Sequence, residues 1–294
     1  MWNSYLCPRT VEEAVSALSG EAGQARVIAG GTDLVLQLQR GERQAACLVD
    51  VSGIAALQEI SEAGGYILLG AAVTHSQVAS SPLIATRVPL LAQAAGEVGS
   101  PEIRNVATLG GNVVNGQPAA DTALALLALD SEARIVSAEG SRWVALSDLY
   151  LGAGESTVDS TSELLVTFRL RPPGGQTGSA YRRLGKCKSI ALPVLCAATV
   201  VELEGGRFAA AAIALGPVAP RPFRAGDAET YLAGQPATPE TIARAAFLAR
   251  QESDPRASLL RCGREYREEM VVALVQSTLR QAVSAAQSAP ESAL

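Results

Sequence analysis

Two paired-glycine stretches constrain this chain more than anything else in it: AGGTD at 29–33 and TLGGN at 108–112. Adjacent glycines beside small hydroxyl or amide residues do not build a packed core segment. They mark turns where the backbone adopts unusual angles and another group can come close. The second stretch continues as TLGGNVVNGQPAAD (108–121) into the apolar TALALLALD. A glycine turn feeding a helix start points backbone N–H groups outward, where an anion can be held. Neither stretch fits G-x-G-x-x-G and no G-x-x-x-x-G-K-[ST] occurs, so neither a Rossmann nor a P-loop site is indicated. Singly, each turn reads as structural. Together, two clusters of main-chain donors could converge on one extended anion such as a pyrophosphate. Asp33 is odd so near a phosphate; it is tolerable if it caps a helix and faces a sugar hydroxyl. Asp121 reads as the N-cap of the helix that follows, with a carboxylate able to accept from a ribityl hydroxyl or a ring N–H.

Composition narrows the chemistry. A length of 294 residues, 48% hydrophobic and 18% charged, suffices for two domains or one large one with a full core. A net charge of −5 and only 4% aromatics argue against a nucleic-acid or anionic-membrane partner. The opening MWNSYLCPRT lacks a signal-peptide pattern, and no stretch approaches the roughly 20 apolar residues of a membrane span. A cytoplasmic location is expected. The cysteines are Cys7, Cys47, Cys187, Cys196 and Cys262, an odd set with no C-x-x-C pair. They read as reduced thiols rather than ligands of zinc or an iron–sulfur cluster. The single histidine, His75, is expected exposed or half-buried near a helix start. One histidine removes triads and most histidine-based acid–base schemes, so an enzyme built on this chain would take its chemistry from a cofactor.

Along the chain, RTVEEAVSALSG carries a capping box, Thr10 with Glu13, and a stop at Gly20. ARVIAG reads as a strand, GGTDLVLQLQRG as a turn and a helix capped by Thr32 or Asp33, and ACLVDV as a strand. YILLGAAVT is a further strand, EARIVSAEG, SRWVALSDLY and ELLVTFRLRP supply strands and their connections, and LLAQAAGEV is a helix. RPPGGQTGS at 171–179 is the best boundary. Beyond it, apolar strands flank an EGGR hairpin turn and three helices follow, one with Pro239 at its first position behind Thr238. The expected domains are 1–174, in two parts at about 1–53 and 54–174, then 179–287 and a frayed tail at 288–294.

VIAGGTDL, TLGGNVVNGQPAAD and SELLVTFRL resemble the flavin-binding medium subunit of the molybdenum hydroxylases, the family of xanthine, carbon monoxide and nicotinate-type dehydrogenases. YLCPRTVEEAVSAL is similar to the family's opening helix. AYRRLGKCKSIALPVLCAATV, IALGPVAPRPFRAGDAETYL and DPRASLLRCGREYREEMVVALV are similar to its C-terminal domain. The resemblance covers nearly the whole chain in order. It implies an α+β protein: a two-part FAD-binding domain of the vanillyl-alcohol oxidase type, then a smaller α+β domain of the carbon monoxide dehydrogenase flavoprotein type, with an antiparallel sheet and helices. By the same resemblance Ile28, Ala29, Gly30, Gly31, Thr32, Asp33 and Leu34 would cradle the FAD pyrophosphate. Thr108, Gly110, Gly111 and Asn112 would supply a second set of donors. Asp121 would match an acidic FAD contact, Val114 and Leu165 would lie against the flavin ring, and Arg182 or Lys186 would bear a cationic contact. The chain departs from the family in lacking a cysteine-rich insertion for a [4Fe–4S] cluster, in placing Lys188 and Ser189 where an acid is common, and in having Val98 where relatives sometimes place an aromatic.

The implied function is that of an electron-transfer subunit with noncovalent FAD. A large molybdopterin-binding subunit would hydroxylate the substrate. A small [2Fe–2S] subunit would pass electrons to FAD here, and an external acceptor (NAD, oxygen, a quinone or a ferredoxin) would take them on. The alternatives are a self-sufficient flavin oxidase of the same fold and a non-catalytic anion-binding module.

Overall fold

The computed structural model describes residues 2–21, 23–186, 192–257 and 262–289. The first unit comprises β1 (Ser4–Leu6), α1 (Val11–Gly20), β2 (Ala25–Ile28), α2 (Leu34–Gln39) and β3 (Cys47–Asp50). Its three strands are parallel in the order β1-β3-β2. Thr10 Oγ1 accepts from the Glu13 amide at 3.1 Å, and the Glu13 carboxylate accepts from the Arg9 amide at 2.7 Å. That start fixes α1 so that Ala14, Val15 and Leu18 pack with Cys47 and Val49 of β3.

The second unit begins with β4 (Ile60–Ala63) and β5 (Tyr66–Gly70). It continues through the short helices α3 (His75–Ser80), α4 (Pro82–Arg87), α5 (Pro89–Gly96), α6 (Pro101–Val106) and α7 (Leu109–Val114) to α8 (Asp121–Ala128). It then adds β6 (Glu132–Ser137), β7 (Gly140–Ala145), β8 (Tyr150–Gly152), β9 (Glu155–Ser156) and β10 (Leu164–Leu170). Five of these strands form an antiparallel sheet, β4-β5-β10-β6-β7. The β10–β6 register shifts between Leu165 and Thr167, a bulge that bends the strand where Leu165 sits. Two expectations are corrected here. The TLGGN stretch opens a helix, because the Thr108 hydroxyl caps the Gly111 amide at 3.1 Å. Asp121 is the first helical residue of α8 rather than its N-cap; that place falls to Ala120, which has no side-chain oxygen to offer.

The third unit comprises β11 (Thr177–Leu184), β12 (Leu195–Glu204), β13 (Arg207–Gly216) and β14 (Phe223–Arg224), then α9 (Gly226–Leu232), α10 (Pro239–Glu252) and α11 (Arg264–Ser288). The sheet is antiparallel, in the order β11-β12-β13-β14. Gly205 and Gly206, with φ of 56° and 76°, form the hairpin turn between β12 and β13. The long helix α11 lies against β11 so closely that a Cβ on Gly178 would overlap the Ala282 carbonyl. The chain is therefore α+β, with a two-part first domain and a smaller second domain of antiparallel sheet and helices. The two share a core: Tyr181, Cys196, Ala198 and Ala214 from the third unit belong to the same buried cluster as α8. Cys187, Lys188 and Ser189, and the tail after residue 289, lie outside the described residues.

Candidate functional site

Past the end of β2 the chain turns sharply. Gly31 takes φ of +67°, and a Cβ on Gly30 would overlap the carbonyl of Val106. Only glycine at position 30 lets this loop close onto the strip that precedes α7. The strip is itself anchored. His75 N donates to Ala107 O at 3.1 Å and Leu109 N to Val73 O at 2.9 Å, an antiparallel bridge between Thr74 and Thr108. The two paired-glycine stretches, some eighty residues apart in sequence, thus form adjoining walls of one cleft of about 300 Å³.

Ile28, Ala29, Gly30, Gly31, Thr32, Asp33 and Leu34 all line this cleft, as do Thr108, Gly110, Gly111, Asn112, Val114 and Leu165. The two stretches differ in what they offer. The N–H groups of Ala29 to Asp33 donate to no protein acceptor among the described residues. Those of the second stretch are engaged except at Thr108: Gly110 N donates to Ala71 O at 2.8 Å, Gly111 N to Thr108 Oγ1, and Asn112 N to Thr108 O at 3.0 Å, while Thr108 N donates to no protein acceptor among the described residues. The expectation of a second full set of main-chain donors is corrected: of Thr108, Gly110, Gly111 and Asn112, only the Thr108 amide is open. The second stretch presents its Asn112 side chain, whose oxygen accepts from the Thr122 hydroxyl at 2.8 Å and whose amide nitrogen is left for a ligand. No side-chain cap bond from Thr32 or Asp33 to α2 forms either. Burial at the cleft raises the Asp33 carboxyl, opposed by a hydrogen bond from Asn115.

Asp121, Arg182 and Lys186 are not part of the cleft lining. The buried Asp121 carboxylate accepts from Tyr181 Oη at 2.5 Å, Arg183 Nε at 3.2 Å and Cys196 Sγ at 3.4 Å. Desolvation raises its pKa, while the Tyr181 bond and the Arg183 charge hold it down. The same burial pushes the Tyr181 hydroxyl and the Cys196 thiol up. Arg182, on the alternate face of β11, turns to α11, where the Gln281 oxygen can accept from its Nη2 and Nε at 2.7 and 3.0 Å. Lys186 follows β11, two residues beyond its end.

Sequence reading missed several cleft residues: Arg26, Gln37, Arg43, His75, Ser160 and Glu163. Arg26 Nε is buried without a protein partner, and desolvation, then the Arg43 charge, lowers the Arg26 pKa against a pull from Asp159. A signal for it existed, since alternation along β2 puts Arg26 and Ile28 on one face. His75, expected exposed or half-buried, is fully buried. Both of its ring nitrogens lack a protein partner, and burial, then the Arg104 charge, pushes its pKa down to about 4. Val98, Ile103, Val114, Val158 and Leu165 supply an apolar lining. Open amides, an orphaned arginine nitrogen and apolar walls in one groove suit a long ligand that is anionic in part and aromatic in part, which is what a flavin dinucleotide is. Among the described residues no cluster of side chains could hold a metal ion, and no helix is long and apolar enough to cross a membrane.

Comparison with known proteins agrees with this chemistry. The model of the FAD binding domain in molybdopterin dehydrogenase matches residues 2–172, and that of the CO dehydrogenase flavoprotein C-terminal domain matches 179–282. A putative xanthine dehydrogenase FAD-binding subunit of Escherichia coli is 31% identical over 285 residues, 96% of this chain and 97% of its own length. The carbon monoxide dehydrogenase medium chain of Hydrogenophaga pseudoflava is 30% identical over 278 residues, 95% of this chain and 96% of its own. A solved structure of carbon monoxide dehydrogenase from Hydrogenophaga pseudoflava superposes with a TM-score of 0.92 at 30% identity, covering 97% of this chain and 98% of that one. The chain therefore belongs to the FAD-binding flavoprotein subunits of the molybdopterin dehydrogenases, the family that holds xanthine dehydrogenase FAD-binding subunits and carbon monoxide dehydrogenase medium chains.

Proposed function

We propose that this chain binds FAD noncovalently in the cleft and serves as the electron-transfer subunit of a heteromeric molybdenum hydroxylase. Its partners would be a large molybdopterin-binding subunit and a small [2Fe–2S] subunit, and the final acceptor an external one: NAD, oxygen, a quinone or a ferredoxin. The observation that carries this reading is the run of open amides from Ala29 to Asp33, facing a groove closed on its far side by the second paired-glycine stretch. Backbone donors need no side-chain ordering and suit a pyrophosphate. Asn112 adds a side-chain donor and Arg26 a positive charge. Val114 and Leu165 exclude water from the ring. FAD, when bound, takes up electrons and passes them on; the protein binds, orients and shields it. We place Asp121, Arg182 and Lys186 outside the cofactor-binding set. The protein is expected to work in the cytoplasm, in keeping with the free thiols of Cys7, Cys47, Cys196 and Cys262.

The test is expression of the chain alone and together with its neighbouring subunits. Alone it should be yellow, should release its flavin on acid precipitation and should turn over no substrate. With its partners it should carry electrons from substrate to acceptor. Colourless protein that takes up no FAD on reconstitution overturns the reading, and flavin that stays attached after acid treatment points to a self-sufficient oxidase instead.

A further inference from the structure

Among the described residues, His75 is the one fully buried side chain of the cleft whose polar atoms all lack a protein partner. Its backbone is tied down: the N–H donates to Ala107 O, and the preceding Thr74 caps α3 with a complete capping box. The backbone is therefore fixed, and full burial confines the ring. Arg104, the charged group acting on it, has its own guanidinium fixed to the carbonyls of Val98 and Gly99 at 2.9 and 3.3 Å. Burial, and after it that fixed positive charge, keep the imidazole neutral, with one N–H to donate and one nitrogen to accept. A buried polar ring without partners destabilises the fold that holds it, because it gave up water for nothing in return. An apolar side chain would serve packing better at that place. The imidazole is explicable if a ligand completes it.

We propose that His75 is a cofactor-binding residue whose ring N–H donates to a polar atom of the flavin dinucleotide, a role that rests on the cleft being the FAD site. The strip bearing its anchor, Ala107, abuts Gly30, so the phosphates and the adjoining ribityl chain are both candidates for that atom. The neutral ring needs no proton transfer to act.

The experiment uses the full-length chain stripped of flavin, in wild-type, His75→Leu and His75→Gln forms. FAD affinity is read from flavin fluorescence, and stability of the apo-chain from its melting temperature. His75→Leu should weaken FAD binding by about tenfold, the equivalent of one hydrogen bond in a closed site. The same variant should melt no lower than wild type without flavin, and about 2 °C higher if the full desolvation cost is relieved. His75→Gln, which keeps a donor, should recover most of the affinity. Titrations with ADP and with FMN locate the contact: a loss shared with ADP places it at the pyrophosphate, and one shared with FMN places it at the ribityl–flavin end. Wild-type affinity in the leucine variant overturns the proposal. So does a leucine variant that loses affinity only in step with a lower apo melting temperature, since that is a structural role. A wild-type chain that binds no FAD removes the functional reading itself, and this inference with it.

Discussion

Single atoms decide whether the cleft exists. Gly30 sits with its α-carbon against the Val106 carbonyl, so Gly30→Ala forces the first loop off the strip. We expect it to weaken FAD binding at least tenfold by displacing the open amides, with a stability loss of about 1–3 kcal/mol from the overlap. Gly96→Ala is the matched control, because nothing lies near its missing side chain and its φ is outside the left-handed region; flavin absorbance of both purified variants checks the contrast. His75 sets a second, acid-side signature. Its folded pKa, pushed down to about 4, lies below the ordinary value near 6.5. The unfolded chain therefore binds more protons between those two pH values, and stability should climb as pH rises through that window and level off above it. The contribution is on the order of 3 kcal/mol at most. Urea unfolding across pH 4 to 6.5 should show a shallower pH slope for His75→Gln than for wild type. An identical slope would show that the folded and unfolded imidazoles share one pKa, so that burial does not depress it. Neither feature was fully legible beforehand. The paired glycines announce a close approach without naming what approaches, and a lone histidine after a threonine carries no periodic pattern that marks it as buried.

At the scale of elements, α8 is the hinge of the design. All eight of its residues are buried, so it packs on every side, and its first residue reaches across to the second domain. Asp121 there gathers Tyr181, Arg183 and Cys196 from β11 and β12 onto one oxygen. Tyr181→Phe removes a hydrogen bond to a buried carboxylate and should cost about 2 kcal/mol. Asp121→Asn should cost a similar amount by removing the charge that those donors face. The double variant should fall well short of the sum, because both changes break one network. Denaturant unfolding of the four proteins gives the coupling, and simple additivity would mean that the two side chains act independently. The sequence reading treated Asp121 as a helix cap and a cofactor contact. A shift of one residue separates an N-cap from the first helical position, and nothing local signals which applies. Long apolar runs were easier: ARVI, ELLVTFRL and the EGGR hairpin emerge as strands where periodicity and turn residues agree. Six-residue helices are shorter than the window in which a 3.6 period shows, so α3 is legible only as a helix start at Thr74 and His75, and α4 and α6 carry no sequence signal. α7 was hidden differently. Two glycines argue against a helix on propensity, and the Thr108 cap and the Ala71 carbonyl override them.

Over the whole molecule, the cleft belongs to the first domain, yet that domain does not close its own core. Tyr181, Cys196, Ala198 and Ala214 of the second domain complete the cluster around α8. Gly216 lies so close to the Pro118 carbonyl that a side chain there would overlap it. Two arginines reach back as well: Arg224 Nη1 donates to Asp130 at 2.6 Å, and Arg221 Nη1 to the Tyr150 carbonyl at 2.8 Å. An interface that continues the core of both partners behaves as one cooperative unit, unlike the smaller, more polar contacts between mobile domains. The second domain thus acts as the floor under the helix that follows the second glycine stretch, and through Thr122 and Asn112 it braces one wall of the cleft. Cutting the chain after residue 174 should therefore expose the buried face of α8 rather than release an independent flavin-binding domain. Such a fragment is expected to bind hydrophobic dyes, to lack a sharp melting transition and to take up FAD at least tenfold more weakly than the intact chain. The intact chain should melt in a single calorimetric transition whose van't Hoff and calorimetric enthalpies agree. Two separate transitions, or a fragment that folds and binds FAD with full affinity, would show that the shared core couples the domains far less than the continuity of α8 with the second sheet requires.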